Sequence, residues 1–502
     1  MTSLDGDARQ RVLRALIVVA ATLFYLWRPT KDDISWLLVV ADALLSGKRL
    51  YVDIIETNPP MSVLLYVPAI LFERATSVRA ETFIVFQTVA FCLMCSEIAT
   101  RLIEKAKLEV STQAFRTAAI VVMFVLPMGA FSQKDHFAFA ASLPLLVMFA
   151  SADRQLFTRA DHLLAGLLAG LSMIIKPQFA LAFALPGLAM AIKRRRLSEL
   201  FTPAVLFASI VVTGYAVAVC AFFPSFVSQT LPILNDLYRP HHMGRLSLLM
   251  PYRGGGYCLI VLLVTALPLR GKIFAPFPLV LFLGSVGFLI AFLEQAKGWP
   301  YHIYPAIAAG MLLGLAITLP TLRGESGGAS RVVFFVWLGC MPLVFVGTIK
   351  VLLLTWTDYS PVSNAIRELG LKRPTIVSIA TSHGDGHPVT RDAGGKWVGT
   401  LSSRWITVSA LTLKNLGFSS VGRSRSFDDW ISVDRAYLRH DILQNHPDII
   451  LVQRGDDFDW LAWARQDPPV AEAFASYHLA RSVSDPEEPG TLEIWLRSQN
   501  GS

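Results

Sequence analysis

Apolar runs of about 18 or more residues recur along this chain from Leu13 to Trp356. Each is long enough, as a helix, to cross a hydrocarbon core of about 30 Å. That pattern restricts the chain to a polytopic helical membrane protein. Charged residues make up 16% of the 502 positions and hydrophobic residues 53%, whereas soluble domains carry about 25% charge. The formal net charge of +8 would point to nucleic acid in a soluble protein. Here it is explained by basic loops on the cytoplasmic side, and nucleic acid is not an expected partner. Cys92 and Cys95 form a C-x-x-C inside an apolar run, which reads as buried small residues and not as a redox or metal pair. The first run has no small-residue cleavage site and reads as an anchor.

Eleven spans are expected, at about 12–29, 81–103, 115–131, 136–151, 162–175, 178–192, 203–223, 255–269, 276–293, 301–320 and 331–356. With this count, basic clusters such as Arg9/Arg11/Arg14, Arg101/Lys105/Lys107 and Lys193–Arg196 fall on one side, the cytoplasmic one. Parity requires the run 59–74 to lie in the interface without crossing. It also requires 162–192, interrupted at Lys176-Pro177, to form a hairpin of short helices. Gly324–Ser330 reads as a short flexible inner loop. The expected architecture is an all-α membrane domain over 1–356, with interfacial helices in a first outer loop at 30–80. A small α/β periplasmic domain follows over 357–502. The tail shows strand patterns at 375–381, 448–453 and 491–497, and helix-like segments near 405–415 and 457–475.

The polar residues of interest gather on the outer side. They are Asp32, Asp33, Asp53 and Glu56 in the first loop, then Lys134-Asp135-His136, Lys176, Arg239, His241-His242, Arg253, Lys297 and His302. A transporter should instead place polar groups mid-membrane on broken helices. Acids at a membrane face are costly unless they act. A carboxylate can begin to remove the proton of an acceptor hydroxyl, and fixed cations can stabilise charge developing on a phosphate leaving group.

The first loop resembles that of the GT-C superfamily of integral-membrane glycosyltransferases, in the bacterial branch related to protein O-mannosyltransferases and lipid A aminoarabinose transferases. The resemblance rests on Asp32-Asp33 with Trp36, then Gly47, Tyr51 and Asp53, then Asn58-Pro59-Pro60. It covers about 40 residues in motif and roughly 1–360 in architecture. It implies an inverting transfer of a sugar from a polyprenyl-phosphate donor to an envelope glycan or glycolipid acceptor, at the periplasmic face of a bacterial inner membrane.

The resemblance places the base on Asp32, with Asp33 as the alternative base and an N-cap as the bland role for Asp32. Asp53 and Glu56 are candidates for holding acceptor or a divalent cation, or are solvated loop charges. Candidate donor-phosphate ligands are Lys134, His136, Lys176, Arg239, His241, His242, Arg253, Lys297 and His302. Against them stand a self-paired turn for Lys134–His136, snorkelling for Lys176 and ordinary solvation for the loop residues. Trp299 and Tyr301 are candidate sugar-stacking rings or members of an interfacial aromatic belt. His241-His242 alone do not make a metal site. The tail segment His383-Gly384-Asp385-Gly386-His387 has the look of a metal loop but reads as an ordinary glycine-rich turn. The rival functions are a flippase for lipid-linked sugar, a ligase for whole glycans, and a non-catalytic assembly partner.

Overall fold

A computed structural model describes residues 2–324, 328–354, 356–455 and 458–498. The chain forms two compact units that do not follow sequence order. One contains Met1–Arg28, Thr82–Ala218 and Met243–Trp356; the other contains Pro29–Glu81, Val219–His242 and Thr357–Ser502.

The first unit is helical. Six of its helices are long and apolar enough to cross a membrane: Asp7–Trp27, Ala80–Lys105, Pro203–Phe222, Pro276–Gln295, Pro300–Thr321 and Phe334–Leu353. The other expected spans are also helical but shorter. Thr112–Val125 and Gly255–Leu269 are apolar. The segment 162–192 does break at Lys176, into Arg159–Ile175 and Leu181–Arg194. Pro177 and the extended backbone of Lys176 (φ −142°, ψ 109°) cause that break. Helix Lys134–Ala150 is buried at every residue, so it needs no polar face and its sequence shows none. By contrast, Leu206, Ile210, Val217 and Phe222 of helix Pro203–Phe222 are exposed, as suits a hydrocarbon environment. Of the expected span 331–356, the helix runs to Leu353, and residue 355 lies outside the described residues. The loop expected over Gly324–Ser330 is corrected in part: a helix already runs from Gly328, and 325–327 lie outside the described residues.

The second unit contains a five-stranded sheet in the order β2-β1-β3-β5-β4. Its strands are β1 (Thr375–Ile379), β2 (Lys396–Trp397), β3 (Ile449–Arg454), β4 (Tyr477–Ser484) and β5 (Thr491–Arg497). β2, β1 and β3 are parallel, with Ile376 opposite Ile449; β5 and β4 run antiparallel. β1, β3 and β5 match the sequence patterns. The missed β2 is two residues long, and β4 (YHLARSVS) is mostly exposed, so neither carries a strong apolar alternation.

Helix Phe427–Asn445 was also missed. Its start is written in the sequence as a reciprocal cap: Ser426 Oγ accepts from Asp429 N at 3.1 Å, and Asp429 accepts from Ser426 N at 3.3 Å. Its inner face packs Leu438 and Ile442 on Val377, Ile450 and Val452 of the sheet. The segment near 457–475 is two helices, Trp460–Arg465 and Pro468–Phe474, because Asp467 caps a new start at Pro468; residue 457 itself is not described.

The first loop belongs to this unit through real packing. Ile55, Ile233 and Leu237 share a core with Leu401, Ile406, Ala410 and Trp430, and Ile55 N donates to Thr400 O at 2.9 Å. Arg391 pairs with Glu73 and Glu81, and Arg79 with Asp392 at 2.6 Å. The run 59–74 forms two short helices, Met61–Leu64 and Val67–Thr76, of 4 and 10 residues. Neither is long enough to span a bilayer.

Gly287 shows how closely the membrane helices approach. A Cβ there would lie 2.5 Å from Ala182 Cα and Leu181 O, both of which are backbone and cannot swing aside. Gly287→Val should therefore separate helix Pro276–Gln295 from Leu181–Arg194 and cost about 1–3 kcal/mol. A fall in the thermal midpoint of the detergent-purified protein is the expected readout; an unchanged midpoint would refute the close contact.

Candidate active site

In the second unit, Asp32 and Asp33 are the first two residues of helix Asp32–Leu45. The N-cap position belongs to Lys31, whose side chain makes no capping bond. Carboxylates in a first turn are favoured by the helix dipole, but here they meet other partners. Lys31 Nζ is 3.2 Å from Asp32 Oδ1. His383 Nε2 is 3.1 Å from Asp32 Oδ2 and 3.6 Å from Asp33 Oδ1. The side chains of Asp32 and Asp33 are 15% and 21% exposed, so the pair is accessible without being free in solvent.

Burial opposes charge on Asp32, but Lys31 and then His383 outweigh it and hold the carboxyl far below its usual range. Burial likewise favours a neutral His383; Asp32, Asp33 and Glu487 outweigh it and raise the imidazole to about 9. At neutral pH the two form a charged pair.

The segment His383–His387 is the glycine-rich turn expected from the sequence, and this geometry adds that it brings His383 to Asp32. The turn leaves β1 and enters helix His387–Asp392, and the His383 carbonyl accepts from Gly386 N at 3.1 Å and His387 N at 3.2 Å. Gly384 must be glycine: a Cβ would lie 2.0 Å from the Tyr359 hydroxyl. That hydroxyl donates to Glu487. Asp385 is fully buried, and neither of its oxygens has a hydrogen-bond partner among the described residues. Burial, followed by Asp485 and Glu487, pushes its carboxyl well above the usual range. His387 packs between Trp36 (4.4 Å) and Trp397 (4.3 Å), and its Nε2 lies 2.8 Å from Ser402 O. Burial lowers it to about 3, so it is neutral and donates that bond.

The other first-loop acids have local partners. Glu56 is buried, accepts from Trp36 Nε1, and accepts from Asn58 N at 2.8 Å. Tyr51, at φ 70°, donates its hydroxyl to Asn58 O at 2.7 Å. The residues carrying the motif therefore brace one another. Asp53 pairs with Arg49, at 2.8 Å to the backbone N and 2.9 Å to Nη2. It also borders a cleft of about 710 Å³ with Lys48, Thr400, Tyr437 and His440.

The first unit holds a separate cationic cluster. Lys176 Nζ lies 2.8 Å from Asp135 Oδ1 and 3.2 Å from Gln295 Oε1. Lys134 and Lys176 stand 5.4 and 5.6 Å from the centre of the Tyr301 ring. Trp299 stacks on Tyr301 at 6.1 Å, and His302 packs edge-on against both. The charges of Lys134, Lys176 and Lys297 all act on His302. Burial alone lowers Lys297 to about 8. Asp135 is the ion-pair partner of Lys176, and three lysines make this group rich in positive charge. That is the electrostatic setting a phosphate needs.

His136 is not part of this cluster. Its ring lies 3.5 Å from Cys92 Sγ and edge-on to Tyr304, in the helical core. Arg239 is exposed, and His241 lies 3.1 Å from Ser409 Oγ; these and the exposed His242 belong to the second unit. Arg253 belongs to the first unit and sits 5.4 Å over Tyr252. The residues proposed as one phosphate set are thus divided between the units. No group of three or more His, Cys, Asp or Glu able to hold a metal occurs among the described residues.

No protein-family model matches the sequence, and no curated protein matches it. Solved structures do. ArnT from Cupriavidus metallidurans in the apo state aligns at a TM-score of 0.54 and 13% identity, over 98% of this chain and 98% of that chain. The same protein bound to undecaprenyl phosphate aligns at 0.52 and 12%, over 96% and 97%. The chain shares its fold with ArnT along nearly the whole of both chains. The archaeal oligosaccharyltransferase AglB from Archaeoglobus fulgidus aligns more loosely, at 0.48 and 11%, over 97% of this chain and 74% of that chain.

The GT-C loop motif makes a stability prediction. Trp36→Phe keeps the ring against His387 but removes the donor to buried Glu56. The cost should be about 1–3 kcal/mol, seen as a lower thermal midpoint. Glu56→Gln in the Trp36→Phe background should recover part of it, and failure to recover would locate the loss in packing instead.

Proposed function

We propose that this protein is an inverting glycosyltransferase. It moves a sugar from a polyprenyl-phosphate donor to an envelope glycan or lipid-linked acceptor at the periplasmic face of a bacterial inner membrane. The observation that carries the reading is the acidic pair at the start of helix Asp32–Leu45, with Asp32 held by Lys31 and His383, in a chain with the GT-C fold. The undecaprenyl phosphate bound by ArnT supports the lipid class of the donor.

In this reaction the acceptor oxygen attacks the anomeric carbon opposite the phosphate. The new C–O bond forms as the bond to the phosphate oxygen breaks, and the configuration inverts. Asp32 takes the acceptor proton, a contribution of about 10²–10⁴-fold. The electron pair leaves on the polyprenyl phosphate, whose added charge needs fixed cations, and the lysine cluster of the first unit, Lys134, Lys176 and Lys297, has the character of such a phosphate site. The cations stand at helix starts and a loop, Lys134 at the first residue of Lys134–Ala150, so they are positioned before the substrate arrives. Trp299 and Tyr301 offer ring faces to sugar or prenyl chain. The partners of Asp53 and Glu56 fit structural roles in bracing the loop, and do not fit a cation site built on these two carboxylates.

The test uses a strain lacking the protein, complemented with wild type or Asp32→Asn at equal membrane levels. Mass spectrometry of lipid extracts and envelope glycans should show one sugar missing from a glycan and the matching polyprenyl-phosphate sugar accumulating. Asp32→Asn indistinguishable from wild type would remove Asp32 as base. A mutant that accumulates donor on the cytoplasmic leaflet only would favour the flippase.

Lys297→Ala should raise the donor KM about tenfold, about 1.4 kcal/mol, with the thermal midpoint unchanged. An unchanged KM would take Lys297 out of the phosphate site.

A further inference from the structure

We propose that His383, supplied by the C-terminal tail, is the positioning residue of the base: its imidazolium fixes the Asp32 carboxylate and cancels the excess negative charge of the acidic pair. The inference rests on the glycosyltransferase reading and adds a role for the tail that the loop motif does not contain.

Adjacent carboxylates on one helical turn repel, and proximity of like charge favours protonation of one of them. A protonated acid cannot accept the acceptor's proton. Lys31 supplies one positive charge against the two of Asp32 and Asp33, leaving the group one charge short of balance. His383 supplies the second, with Nε2 at 3.1 and 3.6 Å from the two carboxylates. The two cations approach different oxygens of Asp32, Oδ1 from Lys31 and Oδ2 from His383, so positive charge stands at both ends of the carboxylate.

The imidazole is itself held. Its carbonyl accepts two backbone bonds, and Gly384 lets Tyr359 close against the turn. The other ionisable groups that interact with it are Glu487 from the β4–β5 connection, Asp385 from its own turn and His387 from the next helix. Of these, Glu487 adds to the negative field that keeps His383 charged, and neutral His387 does not compete for the carboxylates. When Asp32 takes the proton, His383 keeps Asp33 at 3.6 Å as its counter-charge, and the group as a whole gains one positive charge.

The experiment uses full-length protein in detergent, with lipid extract of the deletion strain as the source of donor and acceptor. Transfer is measured against pH. His383→Gln keeps a hydrogen-bond donor and loses the charge. Turnover at saturating extract should fall about tenfold to a hundredfold with KM little changed. Loss of the cation raises the Asp32 pKa, so the acid limb of the pH profile should move to higher pH. The wild-type profile should also decline as pH rises through about 9, a limb that His383→Gln lacks. His383→Lys restores charge and should return the acid limb toward its wild-type position, which a merely structural role would not do.

An unshifted acid limb with wild-type turnover in His383→Gln, alongside an inactive Asp32→Asn, would overturn the proposal and leave the enzyme reading standing. Wild-type behaviour of both variants would sink the enzyme reading itself. Loss of wild-type activity to a chelator, restored by added Zn²⁺ or Mn²⁺ but not in His383→Gln, would overturn the proposal by making His383 a metal ligand.

Discussion

A buried or half-buried charge in so apolar a chain persists only where an opposite charge or a donor stands within hydrogen-bond reach, because desolvation otherwise neutralises it. Both polar clusters follow from that constraint. Asp135, with a side chain 0% exposed, is matched by Lys176 at 6%. Asp32 is matched by Lys31 and His383. Glu56 is matched by the Trp36 and Asn58 donors, and Arg404 by Asp434, both fully buried. Each pairing fixes a side chain that could otherwise adopt several rotamers. The chemistry of each cluster is then set by what the pairing leaves over: an ionised carboxylate in the second unit, a group rich in positive charge in the first.

The same constraint explains why the first loop folds with the tail. Its acids and bases, Glu73, Arg79 and Glu81, find their partners in Arg391 and Asp392. Apolar contacts of Ile55 with Leu401 and Ile406 reinforce them. A loop whose ion-pair partners lie 310 to 318 residues further along the chain is thereby held as part of a packed body, and this is what allows a helix start within it to carry an oriented carboxylate.

Much of the candidate site was legible. The acidic pair, Trp36, the Tyr51–Asp53 turn and Asn58-Pro59-Pro60 are local patterns, and local patterns survive in a single sequence. Lys176-Pro177 announced a broken hairpin because proline and charge both interrupt an apolar helix. The grouping of Lys176 with Lys134, Trp299, Tyr301 and His302 was visible only as a shared side of the membrane. His136 shows the limit: one residue from Asp135, it points to Cys92 and Tyr304 because consecutive helical positions face different directions. His383 escaped for a different reason. Gly-rich surroundings suit an ordinary turn equally well, and nothing in the 350 residues between Asp33 and His383 signals their contact.

The sequence alone therefore determined the helical class with its long apolar helices, a first loop without a membrane-length helix, three of the five strands and the acids that carry the proposed chemistry. Hydrophobic length, proline position and alternation are properties of short windows, so they need no knowledge of the fold. The tertiary structure decided which charges are paired and which remain available. It gave Glu56 to Trp36, Asp53 to Arg49 and Asp32 to His383, divided the candidate phosphate ligands between two units, and turned a glycine-rich tail turn into part of the acidic site. Ion pairing depends on distance in space, and for partners hundreds of residues apart only the folded chain sets that distance.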